Sequence, residues 1–318
     1  MPYFITKAEI TGLSTGAWTT KDISAFLPGG TTGVTGIMLH YVNIGSGRNA
    51  VGWRKNGSSD NRTGTMTGYS QGNAFVGVDG SNQFQYYIGH SDVKIWFVGY
   101  FKSEAVFFTN ATNKTPGVTG SYQTIDISAD TGADTAIAAM FEIDASGGDN
   151  FMGIRKKGST DDRYHYFSLR HGGAIIGVDA SEQLEAKINS TNMKIYLVGF
   201  ITSGATFNTN ATDYSLGSTG AYADLSALPE GATGGFFEVY STAYDLAASL
   251  RENGAGEDLY QNPVDVCHLA VKCDANRLVE GKIESTNVDF WLLGYGTQEE
   301  PPPTPSTSSR RRMAWLIW

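Results

Sequence analysis

Polar and apolar residues alternate through most of this chain in short runs, and clusters of Gly, Asn, Asp, Ser and Thr break the runs apart. Alternation with a period of two is the signature of a strand with one buried face. Over the first hundred residues the runs read "TKDIS", "TGIMLHYV", "NAVGWRK", "RTGTMTG", "AFVGV", "QFQYYIG" and "VKIWFVGYF". Seven or so strands in roughly 85 residues fit a β-sandwich. No window combines good helix formers with apolar residues at helical spacing, so the predicted fold class is all-β.

The same pattern then returns. "NAFVGVDGSNQF" at 73–84 matches "GAIIGVDASEQL" at 173–184 and, more loosely, "HLAVKCDANRL" at 268–278. "VKIWFVGYF" at 93–101 matches "MKIYLVGFI" at 193–201 and "VDFWLLGYG" at 288–296. Copies open on "STGAW" at 14–18, "TGSY" at 119–122 and "TGAY" at 219–222, and "FFTNATNKTPG" at 107–117 recurs as "FNTNATDYSLG" at 207–217. A period of about a hundred residues is that of a domain, longer than a solenoid unit. The expected division is an N-terminal segment 1–13, repeats at 14–104, 118–204 and 218–297, connectors at 105–117 and 205–217, and a tail at 298–318. Each repeat is expected to be a jelly-roll-like sandwich.

Aligned copies indicate which face is buried. Ala74, Val76 and Val78 correspond to Ala174, Ile176 and Val178 and to Leu269, Val271 and Cys273, a register that stays apolar. The alternate position holds Gly77, Gly177 and Lys272, and a lysine is costly to bury unpaired, so that register is expected to face water. Cys273 then reads as a core residue, six positions along one strand from Cys267; roughly 20 Å of extended chain forbids a bridge between them. In the closing strand Val93, Ile95 and Phe97 form one apolar register, and the opposite one carries Lys94, Trp96 and Val98, with Tyr196 and Trp291 standing where Trp96 does. Aromatic rings on such a face imply a cover, either a neighbouring repeat or subunit or a stacked sugar.

One repeated stretch looks like a ligand loop. "RKNGSSDNR" at 54–62 returns as "RKKGSTDDR" at 155–163, with Arg at both ends. Asn-Gly, Ser and Asp are also turn chemistry. The third copy, "RENGAGEDL" at 251–259, keeps Arg251 and loses the second Arg, which favours a hairpin that needs only its turn. Ion pairs across such a hairpin are expected to contribute about 0–1 kcal/mol. Asp161–Asp162 and Glu257–Asp258 are the candidates for a loop calcium, without the Asp-x-Asp-x-Asp-Gly spacing that would support one.

Composition narrows the function classes. A net charge of −9 leaves no broad basic surface for nucleic acid. The start, "MPYFITKAEI", lacks the basic and apolar regions of a secretory signal, and no apolar stretch is long enough to predict membrane insertion. The enzyme motifs G-x-S-x-G, H-E-x-x-H and a Gly-rich loop followed by Lys are missing, and nothing selects a dyad among His40, His90, His165, His171 and His268. No catalytic residue, cofactor or metal is predicted. Sequons such as Asn110-Ala111-Thr112 read as polar loop composition.

After Gly296 the chain changes character to "TQEEPPPTPSTSSRRRMAWLIW". The Pro-rich part is expected to run as an extended spacer. Trp315, Leu316, Ile317 and Trp318 are too few to span a membrane and too apolar to leave in water, and burying each would contribute about 1.5–3 kcal/mol. With Arg310, Arg311 and Arg312 they form a predicted docking peptide.

The repeated "GxRKxGSTDxR", "VGVD" and "K-I-x-x-V-G-Y/F" elements, with a terminal peptide anchor, resemble tandem-repeat β-sandwich accessory proteins of tailed bacteriophages: decoration proteins, head fibres and tail-fibre-like adhesins. The resemblance implies a non-enzymatic virion-surface component, made in the host cytoplasm and released by lysis. It also implies other virion proteins as partners and a homo-oligomer. The alternative is an adhesin whose three repeats bind host-surface glycan through Trp96, Tyr196 and Trp291.

Overall fold

The computed structural model describes residues 2–147, 150–167, 171–243, 246–263 and 266–297. The first repeat contains eight strands: β1 (Pro2–Glu9), β2 (Thr19–Asp22), β3 (Gly36–Asn43), β4 (Asn49–Lys55), β5 (Gly64–Met66), β6 (Ser70–Gly77), β7 (Gln83–Ile88) and β8 (Val93–Phe101). They form two antiparallel sheets, β1-β8-β3-β6 and β2-β7-β4-β5. Two four-stranded sheets that each draw strands from both ends of the unit make a jelly roll.

The second repeat repeats the order with β9 (Ala105–Asn113), β10 (Gln123–Asp126), β11 (Ala138–Ala145), β12 (Phe151–Lys156), β13 (His165–Tyr166), β14 (His171–Gly177), β15 (Gln183–Ile188) and β16 (Met193–Ile201). The third has β17 (Ala205–Asp213), β18 (Ala223–Asp224), β19 (Gly234–Ser241), β20 (Ala248–Glu252), β21 (Val266–Lys272), β22 (Val279–Ile283) and β23 (Val288–Gly296). Its second sheet is β18-β22-β20, with an isolated bridge between Ala248 and Gln261 on the side where the other repeats have a fourth strand.

The segments expected as an N-terminal segment and two connectors are therefore strands. β1, β9 and β17 form the outer edge of each first sheet and pair with β8, β16 and β23. Their polar "TNAT" stretches resemble loop sequence because an edge strand leaves many of its side chains in water. The repeated glycine in "VGY", "VGF" and "LGY" belongs to this pairing. A Cβ on Gly294 would lie 2.5 Å from the Thr206 carbonyl oxygen, and Gly99 and Gly199 meet the carbonyls of Tyr3 and Val106 in the same way. The register shifts there too, so these are bulge positions where only a glycine lets the edge strand approach.

The "VGVD" aspartate caps a turn in every copy. Asp79 Oδ1 accepts from the N–H groups of Ser81 and Gln83, Asp179 Oδ1 from Ser181 and Gln183, and Asp274 Oδ1 from Asn276 and Leu278.

Between the three sandwiches lies a second core. Phe4, Phe107 and Phe207 from the first strands meet Met38, Met140 and Phe236 from the third strands, and Phe75, Ile175 and Ala270 from the sixth-strand positions. Phe236 packs 5.2 Å from Phe4, 5.6 Å from Phe207 and 6.4 Å from Phe75, ring centre to ring centre. All three repeats contribute equivalent positions, so they surround a pseudo-threefold axis. Each large apolar side chain buried there adds roughly 1.5–3 kcal/mol.

This arrangement corrects the expectation that the Gly77, Gly177 and Lys272 register faces water. Gly77 and Gly177 are buried beneath the next repeat's first strand; a Cβ on Gly77 would lie 2.8 Å from Phe107 Cβ. Their lack of a side chain admits that neighbour. Lys272 remains partly exposed and pairs with Glu252 at 2.9 Å.

Candidate functional site

Among the described residues, the repeated loop is the densest set of polar contacts, and its two arginines do different work. The first holds the loop's own repeat together. Arg54 Nε donates to Gln85 and its guanidinium lies 4.2 Å over Trp18; Arg155 reaches Glu185 at 2.8 Å and covers Tyr122; Arg251 reaches Glu280 at 2.7 Å and covers Tyr222. Each also donates to a carbonyl six residues on, at Asp60, Asp161 or Glu257. A contact internal to the fold explains why Arg251 is present in the third copy.

The rest of the loop grips the next repeat. Between repeats one and two, Ser58 Oγ and the Ser59 N–H donate to Asn110 Oδ1, each at 2.9 Å, while Asp60 Oδ2 accepts from the Ala111 N–H. Lys55 Nζ donates to the Phe107 carbonyl. Between repeats two and three the set is duplicated: Ser159 and Thr160 to Asn210, Ala211 to Asp161, and Lys156 to the Phe207 carbonyl. The sequons thus sit at the repeat seams, where their amide oxygens are acceptors.

The second arginine completes the seam. Arg62 donates to Glu142 at 2.6 Å and to Asp60 at 3.0 Å, with its guanidinium 4.1 Å over Tyr196. Arg163 pairs with Glu238 at 2.7 Å and Asp161 at 3.1 Å, and lies 4.9 Å over Trp291. These pairs are not the exposed ones expected, since Arg163 and Glu238 are 11% and 2% exposed. Burial lowers the Arg62 pKa, and Glu142 with Asp60 more than reverses this, leaving it above its ordinary value. Burial also lifts the Glu238 carboxyl above its usual range against the pull of Arg163.

At the closing seam, from repeat three to repeat one, both partners change together. Leu259 stands where Arg62 and Arg163 do, and His40 where Glu142 and Glu238 do. Backbone pairing takes over. Residues Ser70 and Asn262 bridge in parallel, the Asn262 N–H donates to the Tyr69 carbonyl, and the Gln71 N–H donates to the Asn262 carbonyl. Gln71 Nε2 donates to the carbonyls of Ala248 and Gln261, and its Oε1 lies 2.9 Å from His40 Nε2. Lys7, which occupies the place of Asn110 and Asn210, donates to the Leu250 carbonyl.

The three aromatic residues singled out in the closing strands all lie on seam faces. Tyr196 and Trp291 each have one face under an arginine of the preceding repeat. Trp96 packs against the axial core, with its ring 6.3 Å from His40. The calcium candidates are engaged with cations: Asp162 with Lys187 and Asp258 with Lys282. Among the described residues, no three His, Cys, Asp or Glu side chains are placed to hold a metal ion. Cys267 and Cys273 are free and buried, and burial raises both thiol pKa values, that of Cys273 to about 11. His171 is buried at 3.4 Å from Glu142, and His268 is buried beside the Ile175 N–H. Arg310, Arg311, Arg312, Trp315, Leu316, Ile317 and Trp318 lie outside the described residues.

The seam contacts were missed in the sequence although a signal for them exists. "FITKA" at 4–8, "FFTNA" at 107–111 and "FNTNA" at 207–211 share the pattern Phe-x-Thr-x-Ala, marking three equivalent strands.

No protein-family model and no curated protein matches the chain. Among solved structures, it is similar to a chain of broad bean stain virus, with 8% identity, 63% of this chain and 90% of that one covered, and a TM-score of 0.23. It is also similar to an archaeal virus protein described as a triple jelly roll fold and turret assembly, with 10% identity, 94% and 91% coverage, and a TM-score of 0.24. Likeness at that level does not extend to function.

Proposed function

We propose that this protein is a non-enzymatic structural component of a virus particle, a three-lobed block presented at the particle surface. One observation carries the reading: the motifs that recur along the chain are taken up by turns, bulges, contacts within a repeat and seams, and together they close three jelly rolls around one axis. Jelly rolls serve in viral capsids and in lectins, and the fold is compatible with this role. The finer assignment, an accessory protein of a tailed phage fastened through Arg310–Arg312 and Trp315–Trp318, rests on the sequence.

The three rings of the adhesin reading are already engaged at the seams: Arg62 covers one face of Tyr196, Arg163 one face of Trp291, and Trp96 packs on the axial core beside His40.

The test mixes the full chain, or a chain ending at Thr297, with particles made without this protein, and reads attachment by sedimentation and negative-stain microscopy. The full chain is expected to attach, and the shortened chain to remain folded and free. Equal attachment of both would remove the tail as anchor, and attachment of neither would remove the virion role.

A further inference from the structure

The closing seam holds a cleft of about 530 Å³, lined by Gly68, Tyr69, Ala247, Tyr260, Gln261 and Asn262. The spaces directly under the clasps at the other two seams are about 30 and 10 Å³, and a groove of about 310 Å³ lies beside Lys55 and Phe107 at the first of them. Volume of the larger kind lies in the range of small-molecule sites, roughly 300–1,000 Å³. We propose that this cleft binds an uncharged saccharide, with the Tyr69 ring as its stacking surface.

Three observations select that ligand class. First, Tyr69 is 56% exposed, and its φ of +52° is a conformation a bulky residue rarely keeps. It is held there from both sides: its N–H donates to the Gly45 carbonyl, and its carbonyl accepts from the Asn262 N–H across the seam. Strain maintained at an exposed aromatic is characteristic of a binding surface. Second, among the described residues the side chains that line the cleft are uncharged. Lys282, the cation beside Tyr260, is already paired with Asp258 at 3.1 Å and lies 4.2 Å from the Tyr260 ring centre, and the Glu284 carboxylate accepts from the Ala247 N–H. An anionic ligand would therefore find no unpaired cation among the described residues that line it. Third, Tyr69 from repeat one and Tyr260 from repeat three stand with the amide residues Gln261 and Asn262 along one lining. Aromatic faces suit the C–H face of a sugar ring, and the Gln261 amide suits its hydroxyls.

The wall is also firm. Gln261 and Ala248 exchange backbone hydrogen bonds at 2.9 and 3.3 Å, and the Gln261 carbonyl accepts from Gln71 Nε2. A preformed cleft loses little ordering entropy when a ligand enters. This proposal holds whether or not the chain belongs to a particle, so a failed attachment experiment leaves it standing.

The test is saturation-transfer difference NMR on the full chain with lactose, cellobiose and N,N′-diacetylchitobiose at millimolar concentration, and 3′-sialyllactose as a charged comparison. At least one uncharged probe is expected to bind, with Tyr69→Phe within about threefold of the native chain and Tyr69→Gly weaker by tenfold or more. Because glycine adopts positive φ freely, Tyr69→Gly is expected to melt at or above the native temperature. Loss of binding without loss of stability separates a ligand surface from a packing residue. No saturation transfer from any uncharged probe, binding of sialyllactose alone, or binding indifferent to Tyr69→Gly would each overturn the proposal.

Discussion

Replacing Arg163 by Met tests whether the seams hold the three lobes together. Arg163 and Glu238 form a 2.7 Å pair with both side chains almost wholly buried. Removing one partner leaves an uncompensated charge, which costs about 3–5 kcal/mol, whereas replacing both by apolar residues of similar volume is often neutral. Arg163→Met is therefore expected to cost about 3–5 kcal/mol, and Arg163→Met with Glu238→Leu to recover all but about 1 kcal/mol. The pH dependence has a definite sign. Burial already raises the Glu238 carboxyl, and without Arg163 it rises further, so protonation relieves the penalty and the Arg163→Met deficit shrinks as pH falls from 8 to 5. Urea denaturation followed by circular dichroism and tryptophan fluorescence gives the double-mutant cycle. A single-variant cost below about 1 kcal/mol, with the two substitutions additive, would refute a structural role for the buried pair.

Other consequences are equally specific. Gly199→Ala places a methyl against the Val106 carbonyl and Phe107 Cα, backbone atoms that cannot swing aside, so a cost of about 1–3 kcal/mol is expected by thermal melting. Burial, and then the charge of Arg163, lowers the His268 pKa to about 3, and burial holds His40 well below its ordinary value. The unfolded chain therefore binds protons that the folded one refuses. The contribution of the two neutral histidines is complete above about pH 6.5 and falls as pH drops toward 3, at about 1.4 kcal/mol per unit for each histidine at most. Flat stability between pH 7 and 4.5 in urea titrations would contradict this.

Strand positions, the triplication and the hairpin nature of the loop were all legible, because alternation and turn residues are local signals. Val93–Phe101, Met193–Ile201 and Val288–Gly296 coincide with the runs read from the pattern. Contacts between repeats were not legible in the same way. Gly77 and Phe75 occupy a register that looks solvent-facing in a single sandwich and becomes interior once three sandwiches meet. Polar composition disguised β9 and β17 as connectors, and the division at 14, 118 and 218 consequently cuts each jelly roll after its first strand. The loss of the second arginine in the third copy was informative for a reason that sequence alone hides: its partner position also changed, from Glu142 and Glu238 to His40.

The account rests on three lobes closed around one axis, and small-angle X-ray scattering from a chain ending at Thr297 measures that most directly. A closed block of this length has a radius of gyration of about 19 Å by the compact-domain scaling. Three separate domains in a row, spaced roughly 30 Å apart, would give about 28 Å. A value near 19–21 Å that Arg163→Met increases is the predicted result; a native value near 28 Å would contradict it.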